Sequence, residues 1–209
     1  QIFKTEHLTI KNSKKAKYQS KNLNNNISQY KMLKNYELND YQLNLLIKYC
    51  KKKKIEFLAS CFDVDSVKKY LKHKPKYIKI PSGEITNHQL LEFIGSKKKK
   101  IILSTGMSKM QEVKKAVDLI VKSGTKKKDI SVLQCTSDYP AELKDINLNC
   151  LKSYKKILKT NIGFSDHTIG DAASLIAVAL GAEVIEKHIT INKRMKGPDH
   201  LASMEYKDF

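Results

Sequence analysis

The chain has 209 residues and a formal net charge of +19, which is length enough for one full hydrophobic core and most simply one domain. No apolar run approaches the roughly 18 residues of a membrane span, and nothing resembles a secretory leader. The charge points to nucleic acid only at first sight. Arg194 is the only arginine among 40 basic residues, and guanidinium is the group that reads bases and grips phosphate bidentately. The lysine runs at 51–54, 97–100 and 126–128 lie beside Asn, Ile and Tyr and read as solvated surface. Neither a nucleic-acid nor a membrane partner is expected. Cys50, Cys61, Cys135 and Cys150 show no C-x-x-C spacing, so buried or inert thiols in a reducing cytoplasm are expected.

In chain order, Gln1-Ile2-Phe3 reads as the tail of a strand. Residues 4–36 are polar and rich in Asn and Lys, as in a long loop with a short helix around Tyr30 to Tyr36. From residue 55 one unit repeats: a β-branched run, a polar loop, then an amphipathic segment. The runs are IEFLAS (55–60), YIKI (77–80), IILS (101–104), ISVLQC (130–135), NIGF (161–164) and EVIEKHI (183–189). Helical patterns fall near 40–53, 64–72, 87–95, 109–123, 146–159 and 170–180, with Val113, Val117, Ile120 and Val121 at helical spacing in the fourth. Asp40, Asp63 and Ser108 are expected as N-caps, and Gly124 and Gly181 as helix stops.

Strands that alternate with helices predict parallel βα units. No G-x-G-x-x-G follows the first run and no Walker loop occurs, which disfavours the open nucleotide-binding sheet. Polar residues follow every strand rather than one switch point, which favours the α/β (β/α)₈ TIM barrel. In that register the six runs are strands three to eight, and strand one, helix one and most of strand two are missing. The expected organisation is a single partial barrel over residues 1–209.

The strand ends carry the chemistry. They offer Ser60; Lys79 with Ser82-Gly83-Glu84; Ser104-Thr105-Gly106; Thr136-Ser137-Asp138-Tyr139-Pro140; Ser165-Asp166-His167; and Glu186-Lys187-His188. Hydroxyls beside glycine, with backbone N–H groups nearby, suit a phosphate or carboxylate. Lys79 is either a Schiff-base amine or a fixed cation for such an anion; Ser82 and Glu84 nearby favour the cation. Within the last run Glu186 and His188 share one face, and Lys187 points to the helix layer as a structural residue. His167 and His188 end neighbouring strands about 4.8 Å apart, within reach of one divalent ion. The bland alternative is that each is a satisfied core or capping histidine.

The motifs IKIPSGEITNHQLL, ILSTGM, LQCTSDYPA, IGFSDHTIG, ALGAEVIEKHIT and GPDHLASME, in this order, resemble the sialic acid synthase family over nearly the whole chain. GPDH followed by Ala202-Ser203 resembles the N-acetylneuraminate and legionaminate branch more than the pseudaminate one. The resemblance implies condensation of phosphoenolpyruvate with an N-acetylated hexosamine such as N-acetylmannosamine, with release of phosphate, assisted by Mn²⁺ or Mg²⁺. It implies His167 and His188 as metal ligands with Glu186 in support. It implies Lys79, Ser60, Ser82, Ser104, Ser137 and Ser165 around phosphoenolpyruvate, and Gln1, Glu84, Tyr139 and Asp199 around the sugar. It also implies a homodimer for the full-length protein. Gln134 stands where many members have His, and Cys61 where Pro is common. The family's strand-one acid, its strand-two lysine and its C-terminal antifreeze-like domain are not in the chain, so residues 1–209 alone are expected to be nearly inactive. Outside the family, a Schiff-base aldolase using Lys79 and a basic, non-enzymatic nucleic-acid-binding barrel are the competing readings.

Overall fold

A computed structural model describes residues 1–23 and 26–209. Five strands form one parallel sheet: β1 (Tyr77–Ile80), β2 (Lys100–Ser104), β3 (Ile130–Cys135), β4 (Asn161–Asp166) and β5 (Val184–Lys187). Their order in space is their order in sequence. A doubly wound sheet reverses its order at a switch point, so unbroken sequential order is the winding of a barrel. The sheet curls as an α/β half-barrel. Beyond β1 the same parallel pairing continues as single bridges, Ser60 with Lys79 and Ile2 with Cys61.

Helices α1 (Thr5–Leu8), α2 (Lys17–Leu23), α3 (Gln29–Tyr36), α4 (Asp40–Lys52) and α5 (Val64–Leu71) precede β1. Helices α6 (His88–Ser96), α7 (Met110–Lys122), α8 (Cys150–Leu158) and α9 (Ala172–Ala179) fill the connections between successive strands. They form because their apolar residues recur at helical spacing: α7 buries Val113, Ala116, Val117 and Ile120 on one stripe. That stripe packs with Ile78, Ile80, Leu103 and Val132 of the sheet into a single core cluster. Gly124 and Gly181 follow α7 and α9 at positive φ (+124° and +94°), which ends each helix without a Cβ clash.

Several expectations need correction. Residues 55–60 are extended but pair only at Ser60, since Ile55 and Leu58 face solvent and only Ala59 is buried in that run. The run 183–189 divides after Lys187. A short β6 (Ile189–Thr190) leaves the barrel sheet and pairs in parallel with β7 (Met204–Glu205). The segment 4–36 holds three short helices rather than a loop with one, and its positions 24 and 25 lie outside the described residues. Asp63 caps α5 as expected, accepting from Ser66 N–H at 2.8 Å. Asn39, not Asp40, caps α4, in a reciprocal box with Gln42. Lys109, not Ser108, precedes α7, and its N–H donates to the Glu112 carboxylate at 2.7 Å.

Helix α9 stands apart. Its sequence AASLIAVA has no charged residue, and Leu175, Ile176 and Val178 are each more than half exposed. It packs against β4; the next strand, β5, pairs with β4 on one side and, among the described residues, with nothing on the other. No helix among the described residues is long and apolar enough to cross a membrane.

Candidate active site

A cavity of about 860 Å³ opens at the C-terminal ends of the strands, the end of a barrel at which loops and strand tips meet. It brings together Gln1, Ser60, Lys79, Ser82, Glu84, Ser104, Ser137, Tyr139, Ser165, His167, Glu186 and His188. Of the residues to which the family resemblance gives a role, Asp199 alone is not on its wall. Asp199 sits half-buried before the 3₁₀ turn His200–Ala202. Burial raises its carboxyl pKa, against the pull of His188 and His200.

On the β1–β3 side, Lys79 is 4 % exposed. Its ammonium donates to Ser104 Oγ and lies 3.3 Å from Glu186 Oε1. Burial lowers the Lys79 pKa and the Glu186 carboxylate opposes that. The acid beside the lysine is therefore Glu186 from across the sheet. Glu84, the acid expected there, instead accepts from Asn87 Nδ2 at 2.7 Å and braces its own turn. Gly106 N–H donates to Ser82 Oγ at 2.9 Å. A Cβ on Gly106 would collide with Ser137 Oγ and sit 3.0 Å from Ser82 Oγ, so only glycine lets three successive strand ends close to this degree. The Lys79 ammonium and the hydroxyls of Ser82, Ser104 and Ser137 meet on one wall of the cavity, a set of donors that suits an anion.

On the β4–β5 side the two histidines follow directly after their strands. His167 Nδ1 lies 2.6 Å from the Thr136 carbonyl. A carbonyl only accepts, so Nδ1 carries the proton and Nε2 keeps its lone pair, facing Ser165 Oγ at 3.4 Å. Burial pushes the His167 pKa down to about 4, with the Thr136 carbonyl opposing and His188 assisting. The imidazole is neutral at physiological pH, the form that binds metal. The His167 and His188 ring centroids are 5.6 Å apart at 81°. Tyr139 packs on both, 4.0 Å from His167 and 5.3 Å from His188. Ser165 Oγ donates to Glu186 Oε1 at 2.7 Å, joining this half to Lys79. Among the described residues no three of His, Cys, Asp and Glu are grouped to hold a metal ion. The two imidazoles fit an ion that takes its remaining ligands from water and substrate.

Behind the histidines, Lys187 points to the helix layer, as expected. Its ammonium donates to Asp166 Oδ2 at 2.9 Å and to the Thr168 carbonyl at 2.8 Å. Burial would raise the Asp166 pKa, but hydrogen bonds from Ser174, Lys187 and Thr168 bring it below the usual carboxylate value.

Sequence reasoning missed Tyr18. Helix α2 carries it onto the cavity wall, with its ring 5.0 Å from that of Tyr139. Burial, with Asp199 adding to it, raises its phenol pKa to about 12. The apolar wall of Phe3, Leu8, Leu33, Leu58 and Phe62 was missed as well. Cys135 lines the floor 3.9 Å from His167 Nδ1. Burial raises the pKa of both Cys135 and Cys61, the latter to about 12, which keeps them as inert thiols.

A parallel half-barrel with an anion cradle facing an imidazole pair at its strand ends defines a TIM-like small-molecule barrel. The profile of the NeuB family matches residues 1–209, and the chain belongs to that family, which includes the sialic acid and legionaminic acid synthases. It is 45% identical over 205 residues to the N,N'-diacetyllegionaminic acid synthase of Campylobacter jejuni, covering 98% of this chain and 61% of that protein. It is 35% identical over 170 residues to human N-acetylneuraminate-9-phosphate synthase, covering 81% and 46%. The crystal structure of N-acetylneuraminic acid (sialic acid) synthetase from Leptospira borgpetersenii in complex with citrate superposes with a TM-score of 0.82 at 32% identity, over 91% of this chain and 66% of that one. The chain thus spans less than two thirds of the length of these curated relatives.

Proposed function

We propose that the chain is the catalytic barrel of a nonulosonate synthase. Phosphoenolpyruvate condenses through its C3 with the aldehyde of an open-chain N-acetylated hexosamine, water adds at C2, and the C2–O bond breaks to release phosphate and a nine-carbon 2-keto acid. The observation that carries this reading is the meeting of a buried lysine with a pair of imidazoles in one cavity, linked through Glu186. The citrate-bound relative supports an anion site in this fold.

Lys79, Ser104 and Ser82 hold the phosphate and carboxylate of phosphoenolpyruvate, with Ser60, Ser137 and Ser165 around them. Charge-assisted donors fixed before the substrate arrives stabilise developing negative charge without reorganising. Glu186 keeps Lys79 oriented and accepts from Ser165. Tyr139 lies over the imidazoles as a platform for the sugar, with Gln1 and Glu84 at the rim and Asp199 for its hydroxyls. His167 and His188 would hold the divalent cation, Mn²⁺ or Mg²⁺, which when bound polarises the sugar aldehyde. The 45% identity to the N,N'-diacetyllegionaminic acid synthase favours a 2,4-diacetamido hexose as the sugar. A cytoplasmic homodimer completes the proposal for the whole protein.

Phosphate release by the protein made from its whole gene, with each hexosamine, is the direct test. Chelator should abolish turnover and Mn²⁺ restore it. Turnover that survives chelator and is lost to borohydride with substrate would instead identify a Schiff-base aldolase using Lys79. The same assay on residues 1–209 alone tests the expectation that they do not suffice.

A further inference from the structure

Asp166 and Lys187 are direct partners in the register between β4 and β5. Each immediately precedes one of the two histidines. Alternation along a strand puts them on the outer face, opposite His167 and Glu186. Their ion pair is dry: the side chains are 0 % and 5 % exposed. Asp166 also accepts from Thr168 N–H at 2.8 Å, Thr168 Oγ1 at 2.7 Å and Ser174 Oγ of α9 at 2.6 Å. Lys187 reaches past it to the Thr168 carbonyl at 2.8 Å. Two of these five hydrogen bonds join Lys187, the residue before His188, to Asp166 and Thr168 on either side of His167; two more close Asp166 onto Thr168, and one ties it to α9.

Stability alone is a poor reason for such a pair. Removing two charges from water costs several kcal/mol each, and well-packed apolar residues often serve a fold equally well. What an ion pair with saturated hydrogen bonds supplies is a fixed register, because any slip leaves a buried charge unsatisfied. The His167 and His188 carbonyls accept from Ala141 N–H at 2.9 Å and Met204 N–H at 2.8 Å, which hold each backbone separately; the Asp166–Lys187 clamp, one residue before each, is what ties the two to one another.

We infer that Asp166 and Lys187 are positioning residues, which set the separation and ring orientation of His167 and His188 from the far side of the sheet. This rests on the reading that those imidazoles bind a divalent cation. Groups that orient metal-binding histidines without touching the metal typically change affinity by about 10–100-fold.

The test uses the whole-gene protein, Mn²⁺ titration by electron paramagnetic resonance, and NMR of the histidine side chains without metal. The variants are Lys187→Met, Lys187→Arg and the double change Asp166→Leu with Lys187→Met. The double variant, which leaves no unpaired charge, should fold with a melting temperature near wild type. It should bind Mn²⁺ roughly 10–100-fold more weakly and shift the His167 Nδ1–H signal; Lys187→Arg should recover part of both. Folded variants with wild-type Mn²⁺ affinity and unchanged imidazole spectra overturn the inference. If the double variant does not fold, Lys187→Met and Lys187→Arg decide on the same two readouts. If wild type binds no Mn²⁺, the metal reading fails, and the metal-free imidazole spectra still decide whether the pair positions the rings.

Discussion

On the β1–β3 side of the cavity, Lys79 and Ser104 lie within their strands and Gly106 two residues past one, so sheet hydrogen bonds hold them as a by-product of folding. On the β4–β5 side, His167 and His188 lie just beyond their strands and Tyr139 and Tyr18 on a loop and a short helix. Their placement depends on ring contacts, the Thr136 carbonyl and the Asp166–Lys187 pair. One half is preorganised by backbone, the other by side chains. The anion half should therefore answer sharply to single changes, and the sugar half in graded steps.

The largest effect is expected from Lys79→Met, which keeps an apolar stem of similar length and removes the charge. Phosphate release should fall by at least ~10²–10³-fold with the fold intact; a drop of less than tenfold would put the anion elsewhere. Next comes Gly106→Ala. Its methyl group meets Ser137 Oγ and Ser82 Oγ, and overpacking of this kind costs about 1–3 kcal/mol. Thermal melting should register that loss, and the KM for phosphoenolpyruvate should rise more than that for the sugar. Tyr18→Ala removes one ring contact worth about 0.5–1.5 kcal/mol, so the sugar KM should rise roughly 2–10-fold while that of phosphoenolpyruvate stays put. Equal shifts in both would erase the distinction between the halves. A separate effect is on stability against pH. His167 titrates near 4 when folded and near the ordinary histidine value of about 6.5 when unfolded. The unfolded state takes up the proton first, so stability present above about pH 6.5 is lost as pH falls toward 4. Denaturant melts at several pH values should be steeper in that window for wild type than for His167→Gln.

The same contrast governs what could be read from sequence. β3 occupies residues 130–135, the limits of its β-branched run, because parallel strands covered on both sides are continuous apolar runs. The pairing of His167 with His188 and the outward turn of Lys187 follow from two-residue alternation on adjacent strands. Tyr18 is not legible in the sequence because α2 lies in a polar stretch with no apolar period to announce which residue turns inward. The partner of Lys79 is hidden for a related reason: Glu84 is near in sequence, while Glu186 arrives only through the curl of the sheet.

The bare flank of α9 has a consequence for how the molecule behaves in solution. Leu175, Ile176 and Val178 make an exposed apolar stripe on α9, and among the described residues β5 has an unpaired edge. The rest of the surface carries most of a +19 charge, and mutual repulsion keeps such stripes apart at low salt. Screening shortens that repulsion from about 10 Å at 0.1 M to about 3 Å at 1 M. Salt, which would loosen a basic protein from nucleic acid, should drive this chain to cluster with itself.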